Sequence, residues 1–350
     1  MYAFFQYLKD KGYNVKIVTN TSSIQNDVLV VTKNPFAGIP YGIGPIITFL
    51  HSLFYLFYYV ILGNFKVTDS ICTVWLVSAS PLTAAAAVMF NLMGYRVITQ
   101  NVLMHSDDPS RRAGGLINVS HKFRRLQYYI SDTVTSNSPG LYDLSAKYHS
   151  NCIMIPNPVD IQNITKWDRP QKGNYILTVG RLSYRKGTDI VFKTIDIIHK
   201  NNPDIQFTFV GPCDNMEGYL QKVYDSCVHI NKENVYYAGY QKDIHSYYMN
   251  ADIFFLPSRK EGFPSVFIEA MAYGLPAVVK KIEGITDFVF QNGYPAAIDS
   301  EDPEEYAKLI LRLHFDRKFN ESVGKKSSGN VTRFDREEIY QRYLNLIVHS

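Results

Sequence analysis

The fold is decided by the stretch Ile253-Phe254-Phe255-Leu256-Pro257-Ser258 and by the segment that follows it, Glu261-Gly262-Phe263-Pro264-Ser265-Val266-Phe267-Ile268-Glu269. The short apolar run predicts a buried strand that ends at Pro257-Ser258. The chain then turns, and Pro264-Ser265 predicts the first turn of a helix. A strand that leads through a tight turn into a helix is the repeating unit of parallel α/β sheets.

Two glutamates, Glu261 and Glu269, frame this turn and lie eight residues apart. An anionic ligand at the turn would meet free backbone N–H groups and the positive end of the helix dipole. The two carboxylates would flank the ligand and accept hydrogen bonds from hydroxyls. A nucleotide-sugar, which carries sugar hydroxyls on both sides of a diphosphate, fits this arrangement. Acidic residues in a first helical turn are also common for structural reasons alone. The two glutamates therefore do not establish a ligand site without a second sequence element.

The second element is the segment Gly180-Arg181-Leu182-Ser183-Tyr184-Arg185-Lys186-Gly187, directly after a predicted strand. Ligands of doubly wound sheets bind beyond the carboxyl ends of the strands, where both elements lie. Arg181 offers a planar fork of N–H donors and Lys186 a compact ammonium, which together can hold a diphosphate without a metal. A solvated basic loop is the structural alternative, but the combination with the two glutamates favours a ligand site.

Apolar, β-branched runs alternate with helical stretches through most of the chain, which indicates parallel α/β layers. Strands are predicted near 14–19, 28–32, 71–78, 95–100, 132–136, 152–155, 175–179, 205–210, 234–238, 252–256 and 276–280. Helices are predicted near 2–11, 45–62, 81–93, 117–130, 138–148, 188–201, 214–230, 243–250, 303–315 and 335–348, besides the helix that carries Glu269.

At 350 residues the chain is long enough for two domains. The alternation is interrupted by Asn157-Pro158-Val159-Asp160 and a polar stretch that runs to Gly173, which indicates a linker. We therefore expect two Rossmann-like, doubly wound α/β domains that face each other across a cleft, where ligands usually bind. The predicted boundaries are 1–160 for the first domain, 161–173 for the linker, 174–333 for the second domain and 334–350 for a final helix that packs back toward the first domain.

Composition narrows the possible functions. The net charge of +4 is too small and too dispersed for a nucleic-acid-binding protein. Asp107 and Asp108 are adjacent and form no Asp-x-Asp motif, so we predict neither a metal nor a cofactor. The chain has four cysteines, Cys72, Cys152, Cys213 and Cys227, which form no CxxC pair and lack the spacing of metal ligands. We therefore predict that they are free thiols in a reducing, cytoplasmic environment.

The apolar segment 46–62 contains no charged residue and is close to the shortest length that spans a membrane. Three interpretations stay open: a membrane span, a buried helix, and a helix whose outer face dips into the membrane surface. Strand-like runs lie on both sides of the segment. If these runs share one sheet, they cannot lie on opposite sides of a bilayer, which disfavours a span.

In order and spacing, several motifs resemble the group 1 (family 4) retaining glycosyltransferases over roughly residues 150–310. The motifs are Gly180-Arg181-x4-Lys186-Gly187, Phe209-Val210-Gly211-Pro212, Ala251-Asp252 through Pro257-Ser258, and Glu261-x7-Glu269-Ala270-Met271-Ala272-x-Gly274-x-Pro276. The first half matches more loosely, through His105, Ser138 and Pro156-Asn157-x-Val159-Asp160, with Pro158 where the family usually has glycine. The resemblance implies the two-domain GT-B fold.

The resemblance also implies roles for the matching residues. Arg181 and Lys186 would bind the donor diphosphate and stabilise the leaving group. Glu261 would contact the transferred sugar, and Glu269 would hold the ribose hydroxyls. His105 would reach the sugar near the acceptor, and Ser138 would bind substrate unless it merely caps a helix. The other implied substrate-binding positions are Gly180, Gly211, Pro212, Gly262, Phe263, Pro264 and Ser265.

The implied reaction moves a sugar from a UDP- or GDP-sugar to a lipid-linked or cell-surface glycan, with retention of configuration and without a metal or a protein nucleophile. The segment 46–62 motivates the lipid acceptor and a peripheral contact with the cytoplasmic membrane face. Two alternatives are a non-catalytic or truncated nucleotide-sugar-binding relative, and a phosphorylase or epimerase of the same fold. The chain opens inside the first helix, without the family's usual opening strand and glycine-rich loop. This departure suggests a misplaced start or a truncated reading, with a rearranged sheet or a degraded, inactive relative as the alternatives, and it favours the non-catalytic alternative.

Overall fold

The computed structural model describes residues 2–12, 17–19, 28–30, 73–77, 81–101, 120–161, 175–212, 218–282, 284–290, 293–329 and 331–348. The chain divides into two units, Met1–Pro156 with Tyr340–Ser350, and Asn157–Ile339. The division falls a few residues before the predicted linker. Residues 162–173 of that linker, the apolar segment 46–62 and His105 all lie outside the described residues.

The first unit contains two parallel sheets within its described residues. Strands β1 (Ile17–Thr19) and β2 (Val28–Val30) pair with each other, and the second sheet has the order β3-β4-β5-β6. The four strands of this second sheet are β3 (Thr73–Val77), β4 (Arg96–Asn101), β5 (Thr133–Ser136) and β6 (Cys152–Met154). The helices are α1 (Tyr2–Asp10), α2 (Pro81–Leu92), α3 (Ser120–Ile130) and α4 (Pro139–Ala146). Small side chains let α2 approach its neighbours closely, since Ala84 and Ala87 are fully buried.

The second unit is built on one six-stranded parallel sheet. Its strands are β7 (Tyr175–Val179), β8 (Phe207–Val210), β9 (Val235–Gly239), β10 (Ala251–Leu256), β11 (Ala277–Lys280) and β12 (Ala297–Ile298). The order across the sheet is β9-β8-β7-β10-β11-β12, which is the 3-2-1-4-5-6 order of doubly wound nucleotide-binding sheets. All residues of β10 are buried, as a continuous apolar run between two neighbouring strands predicts.

Helices cover this sheet. They are α5 (Thr188–His199), α6 (Gly218–Ser226), α7 (His245–Asn250), α8 (Ser265–Ala272), α9 (Thr286–Phe290), α10 (Pro303–Phe315) and α11 (Arg317–Ser328), and the final helix, α12 (Arg336–Val348), follows them in the chain. Short 3-10 turns occupy Tyr184–Lys186, Lys232–Asn234 and Val331–Phe334. The predicted α/β class with two parallel-sheet domains is confirmed, and no helix in the described ranges is long and apolar enough to cross a membrane.

Helix α11 is absent from the sequence-based prediction, because its residues lack a clear apolar stripe. Its position depends instead on polar contacts. Asp316 caps its first turn by accepting from the Phe319 amide at 3.0 Å. Arg317 forms an ion pair with the buried Asp252 at 3.2 Å, and the amide of the buried Asn320 donates to the Leu313 carbonyl. Sequence periodicity carries no signal for such long-range polar contacts.

The final helix, α12, begins in the second unit and ends in the first, to which Tyr340–Ser350 belong. The ring of Tyr343 packs against Trp75 of β3 with the ring centres 4.8 Å apart. Gln100 of β4 donates to the Tyr343 hydroxyl at 2.9 Å, and Arg96 donates to the Leu346 carbonyl at 2.8 Å. These contacts cover one side of the four-stranded sheet with the end of the chain.

Candidate functional site

The candidate site lies at the carboxyl ends of β7 and β10 in the second unit. These two strands are neighbours, and the chain order of the sheet reverses between them. Ligands of doubly wound sheets bind at such a reversal, beyond the strand ends. The loop 180–187 leaves β7 and the loop 257–264 leaves β10, so the fold brings both predicted elements to the same place.

Lys186 and Glu261 contact each other directly across these loops. The ammonium Nζ of Lys186 donates to Oε1 of Glu261 at 2.7 Å. The two side chains are only 15% and 5% exposed, so each charge is compensated where water is scarce. The ammonium carries three N–H donors, and two of them are left for the oxygens of a ligand.

Arg181 belongs to the same loop as Lys186, but its side chain is in a different state. Its side chain is exposed, and it makes no hydrogen bond or ion pair with any described residue. The full fork of guanidinium donors is therefore available for a bidentate contact with phosphate oxygens. The loop 180–187 thus carries one cation held by an ion pair, Lys186, and one exposed cation without a described partner, Arg181.

Glycine is required where the two loops touch. Gly187 has a φ of +72°, and a Cβ added there would lie 2.2 Å from the Pro257 carbonyl oxygen. Gly211, which follows β8, has a φ of +144°, and its added Cβ would lie 2.3 Å from the Gly180 carbonyl oxygen. Neither contact tolerates a side chain, so both glycines let three strand ends converge.

Replacement of Gly187 by alanine is expected to destabilise the protein, because it combines an unfavourable φ with a backbone collision. Gly274→Ala is the matched control, since Gly274 has a φ of +65° but nothing lies within 4 Å of an added Cβ. The loss of unfolding free energy in Gly187→Ala should exceed that of the control by roughly 1–3 kcal/mol, the usual cost of overpacking. Urea unfolding measures both, and equal losses would show that the contact with Pro257 relaxes freely.

Arg259, which is not among the predicted site residues, holds the loop 180–187 in place. Its guanidinium donates to both carboxylate oxygens of Asp189 at 2.6 and 2.9 Å and to Glu301 at 2.9 Å. It also donates to the Tyr184 carbonyl at 2.7 Å and lies 3.7 Å from the centre of the Tyr184 ring. Burial alone would lower the pKa of Arg259, but the bonds to Asp189 and Glu301 outweigh burial and raise it. The sequence signal that could have identified Arg259 as a site residue is its position between Pro257-Ser258 and Glu261.

Glu269 lies in the second turn of α8, and its side chain is half-buried. Oxygen Oε2 accepts a hydrogen bond from the hydroxyl of Tyr248 at 2.8 Å. Burial raises the pKa of the Glu269 carboxyl, and the bond from Tyr248 acts in the opposite direction. No cation of the described residues forms an ion pair with Glu269. This carboxylate is therefore suited to accept hydrogen bonds from neutral hydroxyls.

The other predicted positions of the second unit surround these two loops. Gly262 lies in a bend, Phe263 packs edge-on against Phe334 at 5.9 Å, and Pro264 is buried directly before α8. Ser265 begins α8, but its amide already donates to the Phe263 carbonyl at 3.0 Å. That bond makes the Ser265 amide a poorer candidate for phosphate contact than the sequence suggested. At the end of β8, the Pro212 carbonyl accepts from the Leu182 amide at 3.3 Å.

Ser138 belongs to the first unit, after the carboxyl end of β5. It occupies the N-cap position of α4, yet its side chain makes no capping hydrogen bond. The hydroxyl is buried and has no hydrogen-bond partner among the described residues. Helix capping therefore does not account for this serine, and a role in substrate binding stays a prediction. Within the described ranges, no group of His, Cys, Asp and Glu side chains is arranged to hold a metal ion.

This geometry agrees with what comparison with known proteins finds. Residues 160–329 match the sequence model of the family described as glycosyl transferases group 1. The matched region contains both loops of the candidate site. This region of the chain is therefore similar to the group 1 glycosyltransferases.

Two curated bacterial relatives illustrate the similarity. The N,N'-diacetylbacillosaminyl-diphospho-undecaprenol alpha-1,3-N-acetylgalactosaminyltransferase of Campylobacter jejuni is 28% identical over 49% of this chain and 43% of its own length. The UDP-Gal:alpha-D-GlcNAc-diphosphoundecaprenol alpha-1,3-galactosyltransferase of Escherichia coli is 29% identical over 56% of this chain and 55% of its own length. The chain thus spans about half the length of the curated relatives it matches.

Similarity to solved structures extends over the whole chain. Sucrose-phosphate synthase from Thermosynechococcus elongatus superimposes with a TM-score of 0.71 over 99% of this chain and 92% of its own, at 18% sequence identity. At that identity the match concerns the fold alone. The fold is GT-B, as the resemblance implied.

Proposed function

We propose that the protein is a retaining glycosyltransferase that moves a sugar from a UDP- or GDP-sugar to a lipid-linked or cell-surface glycan, without a metal. The observation that carries the proposal is the 2.7 Å contact between Lys186 Nζ and Glu261 Oε1 at the point where the chain order of the sheet reverses. It supports a site in which cation and carboxylate meet one small ligand. The names of both curated relatives specify diphospho-undecaprenol-linked sugars, which supports the lipid-linked acceptor.

Each site residue then has a defined task. Arg181 and the free N–H groups of Lys186 hold the diphosphate, and their charge stabilises the leaving group as it departs. Glu261, oriented by Lys186, accepts hydrogen bonds from hydroxyls of the transferred sugar. Glu269 accepts hydrogen bonds from the ribose. His105 stays a predicted contact near the acceptor.

The chemical step needs no protein nucleophile in this proposal. The bond between the anomeric carbon and the diphosphate oxygen breaks, which leaves an oxocarbenium-like sugar beside the departing anion. The acceptor hydroxyl attacks from the same face, and the departing phosphate oxygen takes its proton. The glutamates therefore do not serve as the nucleophile and acid of a retaining glycosidase. The cations of the loop 180–187 balance the charge that this route generates.

The expected result of a direct test is transfer that survives a chelator. Purified protein would be incubated with UDP- and GDP-sugars and an undecaprenyl-diphosphate-linked sugar, with and without EDTA, and the glycolipid product quantified. Product formation should be unchanged by EDTA, because Arg181 and Lys186 supply the positive charge. Nucleotide-sugar binding without hydrolysis or transfer would favour a non-catalytic relative instead, and loss of product in EDTA would remove the metal-independent mechanism.

Peripheral contact with the cytoplasmic membrane face is part of this proposal. It depends on the segment 46–62, which lies outside the described residues, so the contact stays a prediction from sequence. A lipid-linked acceptor would require the protein to work close to a membrane surface.

A further inference from the structure

Tyr248 is a buried residue of α7 that the proposed reaction does not use. Its side chain is 1% exposed, and its hydroxyl donates to Glu269 Oε2 at 2.8 Å. The hydroxyl also lies 3.4 Å from the Val266 carbonyl, which is a weaker contact. A buried hydroxyl usually bonds to backbone, whereas this one bonds to a carboxylate at the candidate site.

Aromatic packing fixes where this hydroxyl can be. The Tyr248 ring stacks on Tyr273, with centres 5.2 Å apart and an angle of 8° between planes. On another side it stacks on Phe254 of the buried strand β10 at 6.2 Å. Tyr273 is itself held by a hydrogen bond with His245. The ring therefore has little rotational freedom, and its hydroxyl is a fixed donor.

The same surroundings keep Tyr248 protonated. Burial, followed by the charge of Glu269, raises the pKa of Tyr248 well above its ordinary value of 10.0. The Tyr248 hydroxyl therefore keeps its proton at neutral pH and acts as the donor. Glu269 is therefore the acceptor of this hydrogen bond, which fixes the position of its oxygen Oε2.

The second oxygen of Glu269 is left for a ligand. Oε1 has no hydrogen-bond partner among the described residues, and no ion pair with a described cation draws the carboxylate aside. A carboxylate with one anchored and one free oxygen is prepared to accept from neighbouring hydroxyls at little entropic cost. The 2′- and 3′-hydroxyls of ribose are such a pair.

We infer that Tyr248 is a positioning residue that aims Glu269 at the ribose diol and so sets the preference for ribonucleotides over deoxyribonucleotides. This inference rests on the proposed function, because it takes the ligand of Glu269 to be a nucleotide. Tyr248 itself touches no substrate in this arrangement and acts through the carboxylate. The selectivity follows because a site built to bond a hydroxyl rejects an analogue that lacks it.

The test is a binding cycle that combines Tyr248→Phe with removal of one ribose hydroxyl. Affinities of UDP, GDP and their 2′-deoxy forms for the full chain would be measured by calorimetry. Tyr248→Phe should weaken binding of the preferred ribonucleotide about tenfold, the scale of one hydrogen bond to a charged group. Its affinity for the 2′-deoxy form should fall by a smaller factor, because that ligand keeps only the 3′-hydroxyl and so depends less on the aim of Glu269.

A second readout is the pH dependence of binding. Among the described residues, the titratable groups that face Glu269 are Tyr248 and Tyr273, and His245 is linked to Glu269 through its hydrogen bond with Tyr273. Ribonucleotide binding should be lost as the pH falls and the Glu269 carboxylate is protonated. Loss of the Tyr248 bond should raise the pKa of Glu269, so in Tyr248→Phe this loss of binding should occur at a higher pH than in the wild type. A residue that only supports the fold would not move this midpoint.

The matched control is Tyr306→Phe, which removes another fully buried hydroxyl, bonded to the Ser300 carbonyl at 2.7 Å. It should leave the ratio of ribo to deoxy affinity unchanged. Equal losses for both nucleotides in Tyr248→Phe, or no loss, would overturn the positioning role while leaving nucleotide binding intact. If the folded wild type bound neither UDP nor GDP, the proposed function would fail first and the positioning role with it.

Discussion

Replacement of Lys186 by alanine is expected to lower sugar transfer at least ~100-fold, the scale for loss of one charge-stabilising contact at a leaving group. The reason is twofold. The departing diphosphate loses a cation whose position is fixed by a 2.7 Å bond to Glu261. The carboxylate of Glu261, only 5% exposed, is left without compensation beside an anionic ligand. Steady-state rates with a saturating acceptor measure the effect.

The companion variant Glu261→Ala should cause a loss of similar size, because it removes the contact to the transferred sugar and frees the cation to move. The double variant should lose much less than the product of the two single losses, since the two side chains contact each other. Lys193→Ala is the matched control, because Lys193 is an exposed lysine on α5 and should leave the rate unchanged. Near-normal transfer by either Lys186→Ala or Glu261→Ala would remove the assignment of this site.

The second unit was predictable from sequence because its signals are local. Each strand of the sheet interior is a short apolar run, and β7 and β10 carry the site residues directly behind their ends. Once the sheet is doubly wound, those ends must be neighbours. The direct bond between Lys186 and Glu261, 75 residues apart in the chain, is therefore a consequence of topology.

What the sequence could not show is how the site residues are supported. Tyr248 has no pattern that separates it from ordinary core residues, and Arg259 is marked only by its position between Pro257-Ser258 and Glu261. Their roles depend on partners 21 and 70 residues away, Glu269 and Asp189. Asp189 in particular looks like an ordinary acidic residue in the first turn of a helix. Pairings of this kind are settled by packing, which periodicity and propensity do not describe.

The amide of Ser265 has a backbone contact that the sequence does not indicate. From sequence it belongs to the free N–H groups at a helix start, ready for phosphate. The turn instead closes on itself, and the amide bonds to the Phe263 carbonyl. Phosphate binding in the proposed site therefore depends more on the side chains of Arg181 and Lys186 than on this backbone group.

Replacement of Arg259 by methionine is expected to lower the unfolding free energy by about 3–5 kcal/mol, the cost of breaking a buried ion pair from one side. Methionine keeps much of the apolar stem but leaves Asp189, whose side chain is 5% exposed, without a cation. The Tyr184 carbonyl loses a donor as well, so the turn that carries Lys186 is no longer tied to the loop 257–264. Guanidinium unfolding gives the stability, and the transfer rate should fall with it because Lys186 loses its support.

Two further variants isolate the cause. Arg336→Met removes an ion pair of the same length, 2.6 Å to Asp160, in which both side chains are 36% exposed. Solvent screening should hold its cost below about 1 kcal/mol. Arg259→Met combined with Asp189→Leu should regain most of the lost stability, because the uncompensated carboxylate is gone, yet transfer should stay low without the bond to the Tyr184 carbonyl. If Arg259→Met cost no more than Arg336→Met, burial would not be what gives the Arg259 contacts their strength, and the loop 180–187 would have to be held by the glycine contacts alone.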